Sequence, residues 1–444
     1  MSKLVVIGGV AAGMSAASKA KRVDPNMEIV VFEKGNFVSY GACGLPYFVS
    51  GLNDDYKKLI ARTPEEFQES GIKVKLRHEV LSIDSIEKVV KIRDLDNNRE
   101  FEESFDKLLI ATGASPIKPK IKNADIKNVF TLKTIEDAIE MKEIANKDKV
   151  KNVVIVGGGY ISMEIAESMV YLNKDVRIIE KNHKMLSNFD EEISEKVEEE
   201  LKRNHVKMNY RENVEELIGE TFVSSVKTDK GTYDADMVII AIGVIPNTEF
   251  LKGSGINLGI KGSVIIDREG MTNIRDIYAA GDCAEIYHKL LEKNVYIALA
   301  TTANKMGRLI GENVTGDHER FVGTLGSSAI KILDIDVART GITEAEAKSY
   351  GYDYETVFVK ANTHPGYYPD STPLYIKLVY EKKDKRILGV QIVGEKGVAL
   401  RIDVFATAIH NNMTTKELGM LDLCYAPPFA GVWDAIHIAA NAAK

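Results

Sequence analysis

The chain has 444 residues, 45% of them hydrophobic and 28% charged, with a formal net charge of -7 and a sequence pI near 5.8. That length exceeds one ordinary core and predicts two or three domains of a globular protein, while the acidic balance excludes a general electrostatic affinity for nucleic acid. Three cysteines, Cys43, Cys283 and Cys424, are too few for a secreted disulfide framework, and no apolar run reaches membrane-spanning length, so a reducing, cytoplasmic setting without a membrane partner is expected.

The first predicted unit is a strand, a glycine turn and a helix: Leu4-Val-Val-Ile-Gly8-Gly-Val-Ala-Ala-Gly13, then helix to about Val23. A second strand, Glu28 to Phe32, ends in the acid Glu33. Next comes Ser39-Tyr-Gly-Ala-Cys43-Gly-Leu-Pro-Tyr. An apolar strand then ends at Ala111-Thr-Gly113, and about 150 residues after the first turn the pattern repeats. Val153-Val-Ile-Val-Gly157-Gly-Gly159-Tyr-Ile-Ser162 leads into a helix to about Asn173, and Asp175 to Ile179 ends in Glu180. Met237 to Gly243 is the counterpart of the strand before Gly113. A short strand through Tyr278 delivers Gly281-Asp282 at its C-terminal end, the edge at which open parallel sheets bind ligands. From about Phe321 the texture becomes α+β, with strand segments at Tyr375–Tyr380 and Ile387–Val393 and a helix near 398–412.

Each repeat reads as a βαβ nucleotide-binding unit. The glycines allow a tight turn and a close backbone approach to a pyrophosphate, and the acid after the second strand accepts hydrogen bonds from a ribose. Two such units imply electron transfer between two cofactors, most economically FAD and a nicotinamide nucleotide. Val10 stands at the middle glycine position of the first turn and Ser162 at the third of the second. Glu180 suits a free ribose 2′-hydroxyl and repels a 2′-phosphate, which favours NADH; Lys181 and Lys184 either admit some NADPH or are solvated surface charge. Cys43, before Gly-Leu-Pro at a predicted helix start, reads as a redox thiol, with a buried structural thiol as the alternative. Cys283 reads as a core filler. The eight histidines are scattered without ligand spacing, so no metal site is expected. The acidic run from Asp190 to Glu200 carries apolar residues at helical intervals and reads as a helix with a solvated face.

Together these segments resemble the single-cysteine group of the pyridine nucleotide-disulfide reductases, and within it the coenzyme A disulfide reductases, over essentially the whole chain from Leu4 to about Trp433. The resemblance implies two Rossmann-like α/β domains and an α+β dimerisation domain: residues 1–113 with 244–320 for FAD, 114–243 for NAD(P), and 321–444 for pairing into a homodimer. It implies cofactor contacts from Gly8, Val10, Ala11, Gly13, Glu33, Lys34, Ser39, Thr112, Gly113, Gly157, Gly159, Tyr160, Ile161, Glu180, Gly243, Gly281, Asp282, Ala300 and Thr301. Relatives that carry their own dithiol space two cysteines about a helical turn apart, whereas positions 38, 39, 47 and 48 here are Val, Ser, Tyr and Phe.

The partner of Cys43 must therefore come from outside: coenzyme A as substrate or mixed disulfide, a related small disulfide or persulfide, or oxygen through a sulfenic acid. In this family tyrosines of the segments His364-Pro-Gly-Tyr367-Tyr368 and Cys424-Tyr425-Ala-Pro-Pro reach the partner subunit's active site, which implies Tyr367 and Tyr425 as catalytic, with Tyr368 at the substrate. Lys19, Arg22, Ser39, Lys75 and Asn304 complete the implied coenzyme A site, the basic ones with simple surface charge as the alternative. Two departures stand out. Ala42 occupies the position where coenzyme A disulfide reductases often have Asn, and Val10 and Ala11 occupy the turn where NADH peroxidases carry a histidine. A rhodanese domain, present in several relatives, is not expected before the chain ends at Lys444.

Overall fold

The computed structural model describes residues 2–444. The chain divides into two compact units, one of Met1–Ile117, Lys133–Ile139 and Val244–Thr324, the other of Lys118–Leu132, Glu140–Gly243 and Leu325–Lys444.

The first unit is built on a five-stranded parallel sheet in the order Ile277–Ala279, Lys107–Ile110, Lys3–Ile7, Glu28–Phe32, Ile72–Lys75. Its central strands are uninterrupted apolar runs that pack against the helix Ala11–Val23 and share a core with Val80, Ile83, Val90 and Ile92, and Leu4, Val5, Val6, Leu108 and Leu109 are fully buried. The helix Ala11–Val23 lies against the helix Ala300–Asn313 at unusually close range. A Cβ on Gly307 would stand 2.3 Å from the Ala12 carbonyl oxygen, and one on Gly311 2.6 Å from that of Ala16. Small residues on both helices permit this contact, and it fixes the second helix over the first turn. An antiparallel sheet of His78–Asp84, Val89–Asp94 and Arg99–Ser104 completes the main secondary structure. The two stretches at which the chain leaves and re-enters this unit, Ala114–Pro116 and Val244–Pro246, pair with each other as antiparallel strands.

The second unit repeats the plan. Its parallel sheet runs Lys207–Tyr210, Asp175–Glu180, Asn152–Val156, Met237–Ile240, Val129–Phe130. A second, antiparallel sheet has the order Ser328–Ile332, Ile335–Gly341, Ile387–Gly394, Pro373–Glu381, Tyr354–Asn362. Every residue of Ile387–Gly394 is buried, since the helix Val398–His410 packs on this sheet and the helix Glu191–Arg203 also touches it. The acidic helix buries Ile193, Val197 and Leu201 as its periodicity predicts. Asp190, before its first turn, is instead buried, accepting from the Glu344 amide and the Gln391 side chain. Among the described residues no helix is long and apolar enough to cross a membrane.

Candidate active site

In the first turn Gly8 adopts a φ of 103°, and a Cβ there would lie 2.2 Å from the Ala111 carbonyl oxygen at the end of the neighbouring strand. Gly157 repeats the arrangement in the second unit, with φ 107° and 2.5 Å to the Ala241 carbonyl oxygen. Both glycines are demanded by the protein's own backbone. The two acids also match. Glu33 accepts from the Gly9 and Gly35 amides, both at 2.7 Å, and Glu180 from the Gly158 amide at 2.6 Å and the Asn182 amide at 2.7 Å. Each carboxylate is thus anchored over its turn, with further lone pairs for a ligand hydroxyl.

The helices Ala11–Val23 and Tyr160–Tyr171 both begin without a side-chain cap, at Val10 and Gly159. The helices that start after Thr63, Thr343, Thr414 and Asp434 have complete capping boxes. A helix start left uncapped retains amides and a dipole end that suit a phosphate. A Cβ on Gly159 would meet nothing within 4 Å, so the protein's own packing does not demand this glycine. The donor set and the shape of both turns fit dinucleotides. Ala300, whose helix also starts without a side-chain cap, and Thr301 lie on the second helix of the first unit. Gly281 approaches the first helix, since a Cβ there would meet that of Ala12 at 3.3 Å.

Cys43 is exposed and lies in the single 3-10 turn Ala42–Gly44, ahead of the short helix Leu45–Val49. Its loop is tied to the glycine turn by the Ser39 amide, which donates to the Gly9 carbonyl at 2.8 Å, and by Ala61, which donates to the Ser39 carbonyl at 2.7 Å. Ser39 takes a left-handed φ of 51° to make this bend. Cys283, by contrast, is completely buried and burial pushes its thiol pKa up, as befits a core filler. In the second unit the side chains of Tyr367 and Tyr425 come together, hydroxyl to hydroxyl at 3.2 Å, on exposed loops. That contact raises the Tyr367 pKa. Tyr368 packs edge-on against His364 with ring centroids 5.5 Å apart.

The remaining predicted residues fall less uniformly. Lys19 is ion-paired with Glu312 and Lys34 with Glu79. Arg22 and Lys75 are exposed, and Lys75 ends the strand beside the one leading to Glu33. Asn304 accepts from the Ser15 hydroxyl at 2.6 Å. Tyr160 points its hydroxyl at Ser328, 2.8 Å away, with burial raising its pKa. Ile161 follows it on the first turn of the second nucleotide helix, and Gly243 lies just after the strand Met237–Ile240 with a φ of 116°.

Three residues carry structure here that the motifs did not single out. Asn247 brackets Thr112 and Gly113: its side-chain amide donates to the Thr112 carbonyl at 2.9 Å, its backbone carbonyl accepts from the Thr112 hydroxyl at 2.7 Å, and its backbone amide donates to the Gly113 carbonyl at 2.9 Å. Lys133 donates to Asp282 at 3.1 Å. Glu164, on the second nucleotide helix, is pushed up to about 7 by burial and by repulsion from Glu167. Among the described residues no cluster of three or more His, Cys, Asp or Glu is placed to hold a metal.

The sequence signature of the pyridine nucleotide-disulphide oxidoreductases matches residues 2–307, and that of their dimerisation domain residues 327–436. The chain belongs to this family. Its relatives include an NAD(P)H sulfur oxidoreductase (CoA-dependent) of Pyrococcus abyssi, 41% identical over 99% of this chain and 98% of that one. A coenzyme A disulfide reductase of Staphylococcus epidermidis is 31% identical over 99% of both. The structure of a water-forming NADH oxidase from Lactobacillus brevis superposes with a TM-score of 0.96 at 32% identity, over 100% of this chain and 98% of that one. As a pyridine nucleotide-disulphide oxidoreductase the chain is an enzyme of a FAD- and NAD(P)H-dependent family, and its C-terminal domain is of the self-associating kind. Large apolar side chains in that domain agree: Tyr367, Leu400, Met420 and Phe429 are each more than 70% exposed, at 74%, 78%, 73% and 76%.

Proposed function

We propose that this enzyme reduces the S–S bond of coenzyme A-linked disulfides or persulfides at the expense of NADH, through Cys43 as its single redox thiol. Residues 1–113 and 244–320 hold FAD, 114–243 the nicotinamide nucleotide, and 321–444 the dimer contact. The observation that carries the reading is the Tyr367–Tyr425 hydroxyl pair, because two phenols in contact on exposed loops offer a proton donor to a leaving thiolate. Relatives named for coenzyme A-dependent sulfur reduction and for coenzyme A disulfide reduction support the choice of acceptor.

When bound, FAD relays two electrons from the nicotinamide to the sulfur centre. The Cys43 thiolate attacks one sulfur of the substrate, forming a mixed disulfide and expelling the other sulfur as a thiolate. Tyr367 and Tyr425 of the partner subunit protonate that leaving sulfur. Reduction of the mixed disulfide by two electrons and a proton then releases coenzyme A and restores the Cys43 thiolate. Glu180 holds the ribose of NADH, and its carboxylate opposes a 2′-phosphate. Among the basic candidates Arg22 and Lys75 are the exposed ones, and they offer charge to the phosphates of coenzyme A.

A second reading makes oxygen the acceptor, with Cys43 cycling through a sulfenic acid; the fold shared with the water-forming oxidase favours it. Intact mass of the purified protein separates the two. A reductant-labile adduct of coenzyme A on Cys43 is expected; a sulfenic or unmodified Cys43 with rapid NADH-dependent oxygen uptake would replace the first reading by the second.

A further inference from the structure

We infer that Arg401 is a positioning residue that sets the Tyr367–Tyr425 pair for proton donation, an inference that rests on the proposed role of those tyrosines. Arg401 lies in the helix Val398–His410, away from both phenols, with a side chain only 11% exposed. Its guanidinium grips both roots of the tyrosine-bearing segments. Nε donates to Asp434 Oδ1 at 3.0 Å and Nη2 to Asp434 Oδ2 at 2.7 Å, while Nη2 also reaches the Thr363 carbonyl at 2.9 Å. Nη1 is held by the Gly397 carbonyl at 3.1 Å, and Gly397 itself leaves the space, since a Cβ there would stand 2.4 Å from Nη1. A fixed planar fork can serve two acceptors in one plane, which an ammonium cannot do with the same geometry.

Each root controls one loop. Thr363 opens the loop that carries Tyr367, and that loop is closed by the Thr363 amide on the Thr372 carbonyl at 2.9 Å and by His364 Nε2 donating to the Pro369 carbonyl at 2.9 Å. Asp434 ends the segment that carries Tyr425. His437 accepts the Asp434 amide at Nδ1, 3.1 Å, and donates from Nε2 to the Leu421 carbonyl at 2.8 Å, so the segment is held at its other end as well. These partners assign His437 its neutral Nε2–H tautomer. The two exposed loops are thus stiffened at their bases by one buried cluster and meet at their tips. Without the cluster, holding two mobile phenols at hydrogen-bond distance would cost conformational entropy at every turnover.

Arg401→Lys keeps a charge beside Asp434 and loses the fork. The expected result is a fall of about tenfold in kcat for coenzyme A disulfide. The NADH–ferricyanide rate, which bypasses the tyrosines, and the dimer measured by light scattering should stay unchanged. In a Tyr367→Phe/Tyr425→Phe background the lysine should cost nothing further. An equal loss in both activities, or the same tenfold loss in the tyrosine-free background, overturns the inference. Should Arg401→Lys fail to assemble, His437→Phe, which releases the Leu421 end, is measured in the same way, and an unselective loss there overturns it equally. If the double phenylalanine variant is itself fully active, the proposed role of the tyrosines fails instead, whatever Arg401 does.

Discussion

The two glycine turns are built alike at the first glycine, the acid and the helix start, and differ at the middle and third positions. Both have a first glycine pressed on a neighbouring carbonyl, an acid clamped over the turn, and an uncapped helix. They part at the third position. A Cβ on Gly13 would stand 2.0 Å from the Gly8 carbonyl oxygen, whereas Ser162 is accommodated with its hydroxyl 3.4 Å from the Ala241 carbonyl. They part again in the middle, where the second turn has Gly159 with open space around it and the first has Val10. The letters of the fingerprint therefore have separate causes: the first is dictated by backbone geometry and the third by helix-to-strand distance, while the middle one of the second turn meets no atom of the protein.

Exchanging the third residues should break this comparison most severely. Gly13→Ser forces a clash and is expected to cost about 3 kcal/mol or more, seen as loss of flavin and of a cooperative melt; Ser162→Gly should cost about 1 kcal/mol. Equal effects would mean that the two helices sit at the same distance. Glu180→Ala should lower the preference for NADH over NADPH about tenfold in kcat/KM, as expected for a charge-assisted hydrogen bond, with flavin content retained; unaltered selectivity removes the ribose role. Gly159→Ala tests whether a bound nucleotide is what requires the middle letter. Its melting temperature should match the wild type while KM for NADH rises about fivefold, roughly 1 kcal/mol of approach lost, and a destabilised fold with normal KM would reverse the assignment.

A pH-dependent effect is expected at Glu164, which has no counterpart role in the first turn. Its folded pKa is raised from 4.5 to about 7, so the folded state binds more protons than the unfolded state between those values, and stability falls as pH rises through that window. Glu164→Gln should flatten that slope in thermal melts between pH 5 and about 8. An identical slope in the variant would place the carboxyl in water.

Much of this was readable beforehand because it repeats. Glycine spacing, apolar runs and terminal acids gave both βαβ units, and the family resemblance pointed to Tyr367 and Tyr425, which the fold brings into contact. What stayed hidden depends on single long-range pairings that leave no periodic trace. Asn247 is an ordinary turn residue until the antiparallel pairing of Ala114–Pro116 with Val244–Pro246 lays it across Thr112. Arg401 is one of many helical cations until Asp434 and Thr363 arrive from elsewhere in the chain. Lys19 is likewise paired with Glu312 from a helix distant in sequence, a contact that leaves no trace in the sequence pattern.

The most direct test of sulfur–sulfur chemistry at Cys43 is anaerobic NADH oxidation driven by coenzyme A disulfide, wild type against Cys43→Ser. The account predicts two thiols released for each NADH consumed, and no turnover in the serine variant. NADH loss that needs oxygen, or disulfide reduction that survives the loss of Cys43, would contradict it.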